Sequence, residues 1–254
     1  MNRSFKQKLA QGELLIGSII TLPSPEIAEI FCQSGFDWLF IDLEHSVMGV
    51  KEAQVLLQAA SHHVACLIRV PSIDEVWIKK ALDIRPAGVI IPQVKNAAQV
   101  AQVVQLSKYP PEGTRSVGIA RAHGYGQKFQ EYVENANENT AVVIQIEHIQ
   151  AVENIETIVS VPGIDCLFVG PYDLSASMGK TGLTTDPEVQ NAIERVKQSA
   201  QQAHIPLGIF GTTAIAVQPY IQDGYRLIAV GMDASLLGSV AEEITKILKG
   251  RLTC

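Results

Sequence analysis

Eight short, β-rich apolar runs alternate with amphipathic segments along this chain of 254 residues, and the alternation constrains the fold more than any other feature. The runs are nearly continuous in apolar residues, which is typical of parallel strands covered on both faces. The segments between them carry apolar residues at i, i+3, i+4 and i+7, which predicts helices. The pattern favours a (β/α)8 TIM barrel with parallel strands, and a doubly wound open sheet is the alternative. The predicted strands are residues 14–20, 37–42, 64–70, 87–92, 141–147, 165–170, 205–210 and 226–231.

Residues 109–140 interrupt this alternation, because they are far longer than a usual connection of about 2–6 residues. The half rich in Pro and Gly predicts an ordered loop, and the polar second half predicts a helix. We expect the segment to face the substrate, as long loops often do, and a disordered surface excursion is the alternative. An amphipathic helix is predicted at about 239–250, and residues 1–254 are expected to form one domain.

The composition argues against several classes of partner. A net charge of −6 and an aromatic content of 6% leave no basic surface or stacking platform for nucleic acid. We expect neither a secretory signal nor a membrane span, because no long apolar stretch follows the first basic residues and no run reaches the roughly 18 apolar residues that a span needs. Cys32, Cys66, Cys166 and Cys254 form no CxxC pair and are interpreted as reduced packing residues. We therefore expect a cytoplasmic protein that acts on a small molecule.

Carboxylates follow two neighbouring predicted strands. Glu147 comes at the end of the fifth strand and Asp173 just after the sixth. Catalytic groups of a barrel collect at these ends, where two carboxylates would repel each other unless a cation lay between them. A hard divalent ion fits, so both are predicted metal ligands; the alternatives are a salt bridge for Glu147 and a helix cap for Asp173. Gln145 shares the face of Glu147 because it lies two residues earlier.

A second group of candidates follows the second and third strands. Asp42, Glu44 and His45 come after one strand, and Arg69 ends the next, where a buried guanidinium needs an anion. We expect Asp42, His45 and Arg69 to meet at one rim and to take part in catalysis. Asp83, late in the following predicted helix, is either a solvated charge or a group that supports the site from behind.

These segments together resemble the metal-dependent class II pyruvate aldolases of the HpcH/HpaI type. The resemblance covers about residues 14–240 and combines the D-x-E-H, LIRVP, QIE and GPxDLSxSxG motifs. It rests on FDWLFIDLEH (36–45), LIRVPSIDEVWIKKALDIRPAGVIIPQV (67–94), YPPEGTRSVG (109–118), VIQIEHIQAVENIETIVSVPGID (143–165) and FVGPYDLSASMG (168–179).

The resemblance implies a lyase that reversibly cleaves a 4-hydroxy-2-oxo acid to pyruvate and an aldehyde, through a metal-bound pyruvate enolate. Glu147 and Asp173 would hold Mg²⁺, Mn²⁺ or Co²⁺. Gln145 and the backbone from residue 170 to 173 would bind pyruvate. Tyr172 stands where a small residue is common, on the side of the aldehyde, so the acceptor aldehyde stays open. The family also implies a homo-oligomer, a hexamer.

The same resemblance implies roles for the second group of residues. His45, supported by Asp42, would act as the acid and base, and Asp83 would raise the basicity of His45. Arg69 would stabilise the enolate oxygen and contact the substrate.

Three other functions are open at this point. A class I aldolase would use Lys95, just after the fourth strand, as a Schiff base. A CoA-thioester lyase of the citrate or malyl type would need a phosphate site, for which Arg115 and Arg121 are the nearest basic residues. A barrel that only binds a metal and a 2-oxo acid would not need His45 with Asp42. We expect Arg115 and Arg121 to contact the carboxylate tail of an acceptor or another subunit.

Overall fold

The computed structural model describes residues 3–250, and its centre is a closed barrel of eight parallel strands. Each strand pairs with the next along the chain, and β8 closes the barrel by pairing with β1. The prediction of a (β/α)8 barrel is confirmed, and all eight predicted runs are strands. They are β1 (Leu15–Ile20), β2 (Trp38–Asp42), β3 (Ala65–Arg69), β4 (Gly88–Ile91), β5 (Ala141–Ile146), β6 (Cys166–Val169), β7 (Leu207–Gly211) and β8 (Leu227–Met232).

Helices surround the barrel, and several of them start at residues whose side chains cap them. Asp74, for example, accepts hydrogen bonds from the N–H groups of Val76 and Trp77, at 2.9 and 3.1 Å, and so fixes the start of α4. The helices are α1 (Phe5–Ala10), α2 (Pro25–Gln33), α3 (Val50–Ala60), α4 (Glu75–Asp83), α5 (Ala97–Ser107), α6 (Phe129–Asn139), α7 (Ile149–Glu153), α8 (Ile155–Val159), α9 (Pro171–Ser177), α10 (Pro187–Gln202), α11 (Ala214–Gln222) and α12 (Asp233–Leu248).

Large side chains fill the inside of the barrel. Trp38 is fully buried there, and its Nε1 donates to the carbonyl oxygens of Leu15 and Ile228, both at 3.2 Å. Phe168 stands edge-on to Trp38, with ring centroids 6.3 Å apart. Helix α1 closes the amino-terminal end of the barrel with Phe5. The reactive groups can therefore gather only at the carboxyl ends of the strands.

The segment between α5 and β5 packs at the amino-terminal end of the barrel. The Nη2 of Arg115 lies 2.8 Å from Oδ1 of Asp83, at the end of α4, and its guanidinium covers the ring of Tyr109 at 4.4 Å. Arg121 donates to the carbonyl of Ile84 and to Oγ of Ser61, again at helix-to-strand turns. Within the chain this segment does not face the carboxyl ends of the strands, where the substrate is expected, because Arg115 and Arg121 find their partners at the amino-terminal end of the barrel. Neither arginine lies at the carboxyl ends of the strands, so within one chain neither could contact the carboxylate tail of an acceptor aldehyde bound there.

Helix α12 begins six residues before the predicted 239, directly after β8. The helix continues through exposed Gly238. Only Asp233 of this helix is buried. Six large apolar residues are exposed on it: Leu236, Leu237, Val240, Ile244, Ile247 and Leu248.

Two smaller expectations concern the membrane and the cysteines. Between residues 3 and 250, no helix combines the length and hydropathy that crossing a membrane requires. Cys32, Cys66 and Cys166 are free thiols, and burial raises the pKa of Cys66 to about 12. Cys254 lies outside the described residues.

Candidate active site

On β2, β3 and β5 the inward-facing side chains change from apolar to polar towards the carboxyl end of the strand. On β5 the sequence of inward positions is Val143, Gln145 and then Glu147, and all three are buried. On β2, Phe40 lies below Asp42 in the same way. The alternation of side chains along a strand produces this arrangement, as predicted for residues two apart. The polar positions of neighbouring strands therefore meet in one layer.

Asp42 and Arg69 form the central ion pair of this layer. They are direct neighbours in the register of β2 and β3, and both are buried. Nε of Arg69 donates to Oδ1 of Asp42 at 2.9 Å, and Nη2 donates to Oδ2 at 2.6 Å. Burial alone would raise the pKa of Asp42, but the hydrogen bonds and charge of Arg69 outweigh it and hold the pKa below its usual value. The guanidinium is thus fixed in a rigid, two-point contact.

Asp42 supports the loop that carries His45, and not the ring of His45. Its Oδ1 also accepts the N–H groups of Glu44 at 2.9 Å and of His45 at 3.3 Å. The His45 side chain is 59% exposed, so its imidazole can reach a molecule bound at the rim. The expected support of the imidazole by Asp42 is therefore indirect, through the backbone.

Sequence reasoning gave no role to Glu44, a carboxylate that lies close to both Arg69 and His45. Its Oε2 lies 3.3 Å from Nη1 of Arg69 and 3.8 Å from Nε2 of His45. This oxygen is buried and accepts no hydrogen bond from residues 3–250. Burial raises the pKa of Glu44, and the nearby Asp42 and Asp173 add to the rise. Its place between Asp42 and His45 in the D-x-E-H motif was the available signal.

Glu147 is buried at the end of β5 in a position where its charge is poorly compensated. Its Oε1 accepts the N–H of Gln93 at 2.7 Å, and its Oε2 accepts a hydrogen bond from Nε2 of Gln145. Burial raises the pKa of Glu147 to about 8, and the charges of Glu44 and Asp173 act in the same direction. Gln93 takes part only through its backbone, at a φ of +56°, so its side-chain type gave no signal.

Gly170 brings the start of α9 close to these side chains. A Cβ atom at this position would lie 3.0 Å from Nε2 of Gln145 and 3.1 Å from Oε2 of Glu147. Any larger residue would therefore fill the space above the carboxylate. Asp173 follows in the first turn of α9, near enough that its charge raises the pKa of both Glu44 and Glu147.

The residues present fit a divalent cation. The guanidinium of Arg69 interacts with the carboxyl groups of Asp42, Glu44 and Glu147, and the charge of Asp173 acts on Glu44 and Glu147. Oε1 of Gln145, like Oε2 of Glu44, is buried without a hydrogen-bond partner. No three His, Cys, Asp or Glu side chains within residues 3–250 form a ready set of metal ligands. Carboxylate oxygens with water and substrate completing the shell are the donors that Mg²⁺ prefers.

Two predicted site residues lie outside this cluster. Asp83 ends α4 at the amino-terminal end of the barrel and pairs there with Arg115, so within one chain it does not approach His45. The prediction that it supports His45 is not met inside the chain. Tyr172 borders the site on the side of β7: it is 39% exposed, its ring centroid is 6.0 Å from that of Phe210, and its hydroxyl lies 3.5 Å from Oγ1 of Thr212.

Comparison with known proteins gives matches over nearly the whole chain. The family described as HpcH/HpaI aldolase/citrate lyase matches residues 17–239. A hydroxypyruvate/pyruvate aldolase of Roseobacter denitrificans is 36% identical over 251 residues, 95% of either chain. A 4-hydroxy-2-oxovalerate aldolase of Rhodococcus jostii is 38% identical over 92% of this chain and 91% of its own. The crystal structure of a HpcH/HpaI aldolase/citrate lyase family protein from Burkholderia cenocepacia has a TM-score of 0.92 at 34% identity, with coverage of 96% of this chain and 98% of the other.

Proposed function

The chain belongs to the HpcH/HpaI aldolase/citrate lyase family, and from this premise we propose that it is a metal-dependent aldolase that reversibly cleaves a 4-hydroxy-2-oxo acid to pyruvate and an aldehyde. One observation carries the proposal: poorly compensated carboxylates at the carboxyl end of the barrel surround a fixed Arg69, beside an exposed His45. The names of the relatives from Roseobacter and Rhodococcus support the pyruvate side of the reaction.

The bond between C3 and C4 breaks only if electrons can be placed on the pyruvate fragment. Glu147 and Asp173 would hold a divalent ion, Mg²⁺, Mn²⁺ or Co²⁺, and when bound it would supply Lewis-acid polarisation of the 2-oxo group. Arg69 is held by Asp42 in a rigid contact, and Nη1, the nitrogen outside that contact, would stabilise the negative oxygen that develops. Gln145 and the backbone around Tyr172 would orient the pyruvate carboxylate. Because Asp42 already fixes Arg69 before the reaction, this hydrogen-bond donor does not have to reorganise as the negative charge develops.

His45 is the group that would move the proton. In cleavage its imidazole takes the proton of the C4 hydroxyl, the C4 oxygen becomes the carbonyl of the aldehyde, and the electron pair of the broken bond stays on C3 as the enolate. In the reverse direction the same imidazole returns the proton. Its exposed position at the rim, next to Oε2 of Glu44, suits this role.

We also propose a homo-oligomer, which family resemblance puts at a hexamer. The exposed apolar residues along α12 support an interface there, since contact with water is unfavourable for them and burial against another subunit would remove it. Asp83 could act on His45 only across such an interface, as a residue of another subunit. A cytoplasmic location is supported by the free thiols of Cys32, Cys66 and Cys166.

The test is release of pyruvate from 4-hydroxy-2-oxovalerate by the purified protein, followed through a lactate dehydrogenase coupling. We expect activity to disappear after treatment with EDTA and to return with Mg²⁺, Mn²⁺ or Co²⁺. Full activity in metal-free protein would contradict the proposal. Irreversible labelling by borohydride in the presence of pyruvate would contradict it as well, because that result requires a lysine Schiff base.

A further inference from the structure

A cavity of about 760 Å³ lies at the amino-terminal end of the barrel. Its walls come from α1, from the turns that lead into β3 and β4, and from α6 with the segment before it. The site carboxylates lie at the other ends of the strands, so the cavity has no part in the aldol chemistry. Its volume is within the usual range of about 300–1,000 Å³ for small-molecule sites.

Three cations line this cavity without an acidic partner. Arg85, Arg121 and Lys128 form no salt bridge within residues 3–250. Glu131 also lines the cavity, and it too has no ion pair in that part of the chain. The local balance is therefore positive, although the chain as a whole carries a net charge of −6.

Arg121 is fixed at the cavity by neutral acceptors. Its Nη1 donates to the carbonyl of Ile84 at 2.6 Å, and its Nη2 donates to Oγ of Ser61 at 3.2 Å. Burial lowers the pKa of Arg121, and the neighbouring charge of Arg85 lowers it further. The positive charge of a half-buried guanidinium is poorly compensated when its partners are neutral and another guanidinium lies nearby. An anion bound between the two would be stabilised there.

We propose that this cavity binds a small organic phosphate, with the phosphate group between Arg85 and Arg121. The two planar guanidinium groups match the oxygens of a phosphate, and a dianion suits an excess of cations better than a single carboxylate does. Phe5, Val64 and Pro86 form an apolar wall against which the organic part packs. The binding site is separate from the aldolase reaction and does not depend on it.

The test is isothermal titration of the metal-free, full-length protein with glycerol 3-phosphate, and with glycerol as the neutral comparison. We expect one site per chain, no binding of glycerol, and a loss of affinity of about tenfold or more in Arg85→Gln. The double variant Arg85→Gln/Arg121→Gln should show no measurable binding. Arg85 has no side-chain hydrogen bond within the described residues, so its variant should keep the fold, which circular dichroism would verify.

Lys51→Gln is the matched control, because Lys51 is an exposed cation on α3 that does not line the cavity. Its affinity for glycerol 3-phosphate should stay within about twofold of the unmodified protein. The proposal is overturned if titration shows no saturable binding, or if Arg85→Gln binds as tightly as the unmodified chain. Loss of binding in Arg69→Gln together with full binding in Arg85→Gln would overturn it too, because the phosphate would then lie in the active site.

Discussion

At the scale of single residues, the buried carboxylates of the barrel differ in what compensates their charge. Asp42 has a bidentate partner in Arg69, and its pKa falls. Glu147 has a backbone N–H and an amide, and its pKa rises to about 8. The same residue class therefore stands in two situations here: one carboxylate fixes a cation of the protein, and the charge of the other is left poorly compensated by the protein itself.

Replacement of Asp42 by Asn should destabilise the protein, because it leaves the buried guanidinium of Arg69 without a charged partner. We expect the free energy of unfolding to fall by about 3–5 kcal/mol, measured by urea denaturation. Glu75→Gln is the control, since Glu75 pairs with Lys79 on the surface at 3.5 Å. That variant should change the free energy by less than about 0.5 kcal/mol. Equal changes in the free energy of unfolding for the two variants would show that the buried pair stabilises the protein no more than the surface pair does.

The stability of the metal-free protein should depend on pH through Glu147. The pKa of this group is about 8 in the folded chain and near 4.5 when unperturbed, so between these values the folded state keeps a proton that the unfolded state releases. The free energy of unfolding should therefore fall as the pH rises from about 4.5 to about 8. Urea denaturation in EDTA over this range would measure the slope.

Glu147→Gln isolates this contribution, because an amide does not titrate. The variant should lose part of the slope, and saturating Mg²⁺ should flatten it in the unmodified protein by stabilising the deprotonated carboxylate. An identical slope in the variant and in the unmodified metal-free chain would assign the effect to other groups.

At the scale of elements, the segment between α5 and β5 is held by a cluster in which Tyr109, Arg115 and His123 are buried and Tyr132 is half-buried. The hydroxyl of Tyr109 lies 3.0 Å from Nε2 of His123, and Arg115 covers the ring of Tyr109. Because the cluster contacts the end of α4 through Asp83, it fastens the segment to the barrel. Its stability should follow that of the barrel.

Arg115→Ala should loosen this segment, because it removes the covering of Tyr109 and leaves the Asp83 carboxylate without its partner. We expect a loss of about 2–4 kcal/mol in the free energy of unfolding, with faster amide exchange in residues 109–128. Arg195→Ala is the matched control, since Arg195 pairs with Glu156 on the surface. Arg195→Ala should stay within about 0.5 kcal/mol. Unchanged exchange in Arg115→Ala would contradict the anchoring role.

The elements could be predicted from the sequence where one physical signal dominates. The strands are almost continuously apolar because helices cover them outside and side chains fill the barrel inside, as Trp38 and Phe168 show. The shared face of Gln145 and Glu147 followed from the two-residue period of a strand. The position of residues 109–128 could not be predicted, because it depends on which distant partner a buried arginine finds. The hydrogen bond from Gln93 to Glu147 could not be predicted either, because it comes from the backbone N–H and does not depend on the type of side chain.

At the scale of the whole molecule, α12 leaves an apolar stripe uncovered. Val240 and Ile244 lie one turn apart on it and are more than half exposed. Val240→Asp should therefore reduce the mass of the assembly measured by light scattering after size exclusion, because a buried charge in an interface is costly.

Thr245→Asp is the control for this prediction, because it introduces the same charge on another side of α12. The mass of that variant should be unchanged. A monomeric mass for the unmodified chain would refute the homo-oligomer, and an unchanged mass for Val240→Asp would exclude the stripe as its interface.

The layering inside the barrel has a consequence for adaptation. The lower layers, with Trp38 and with helix α1 closing the amino-terminal end, stabilise the barrel, whereas the candidate catalytic groups occupy only the top layer and the turns above it. Mutations at rim positions such as Tyr172 can therefore accumulate with little penalty to folding. A scaffold divided in this way can diversify its choice of aldehyde while inheriting the same pyruvate half of the reaction unaltered.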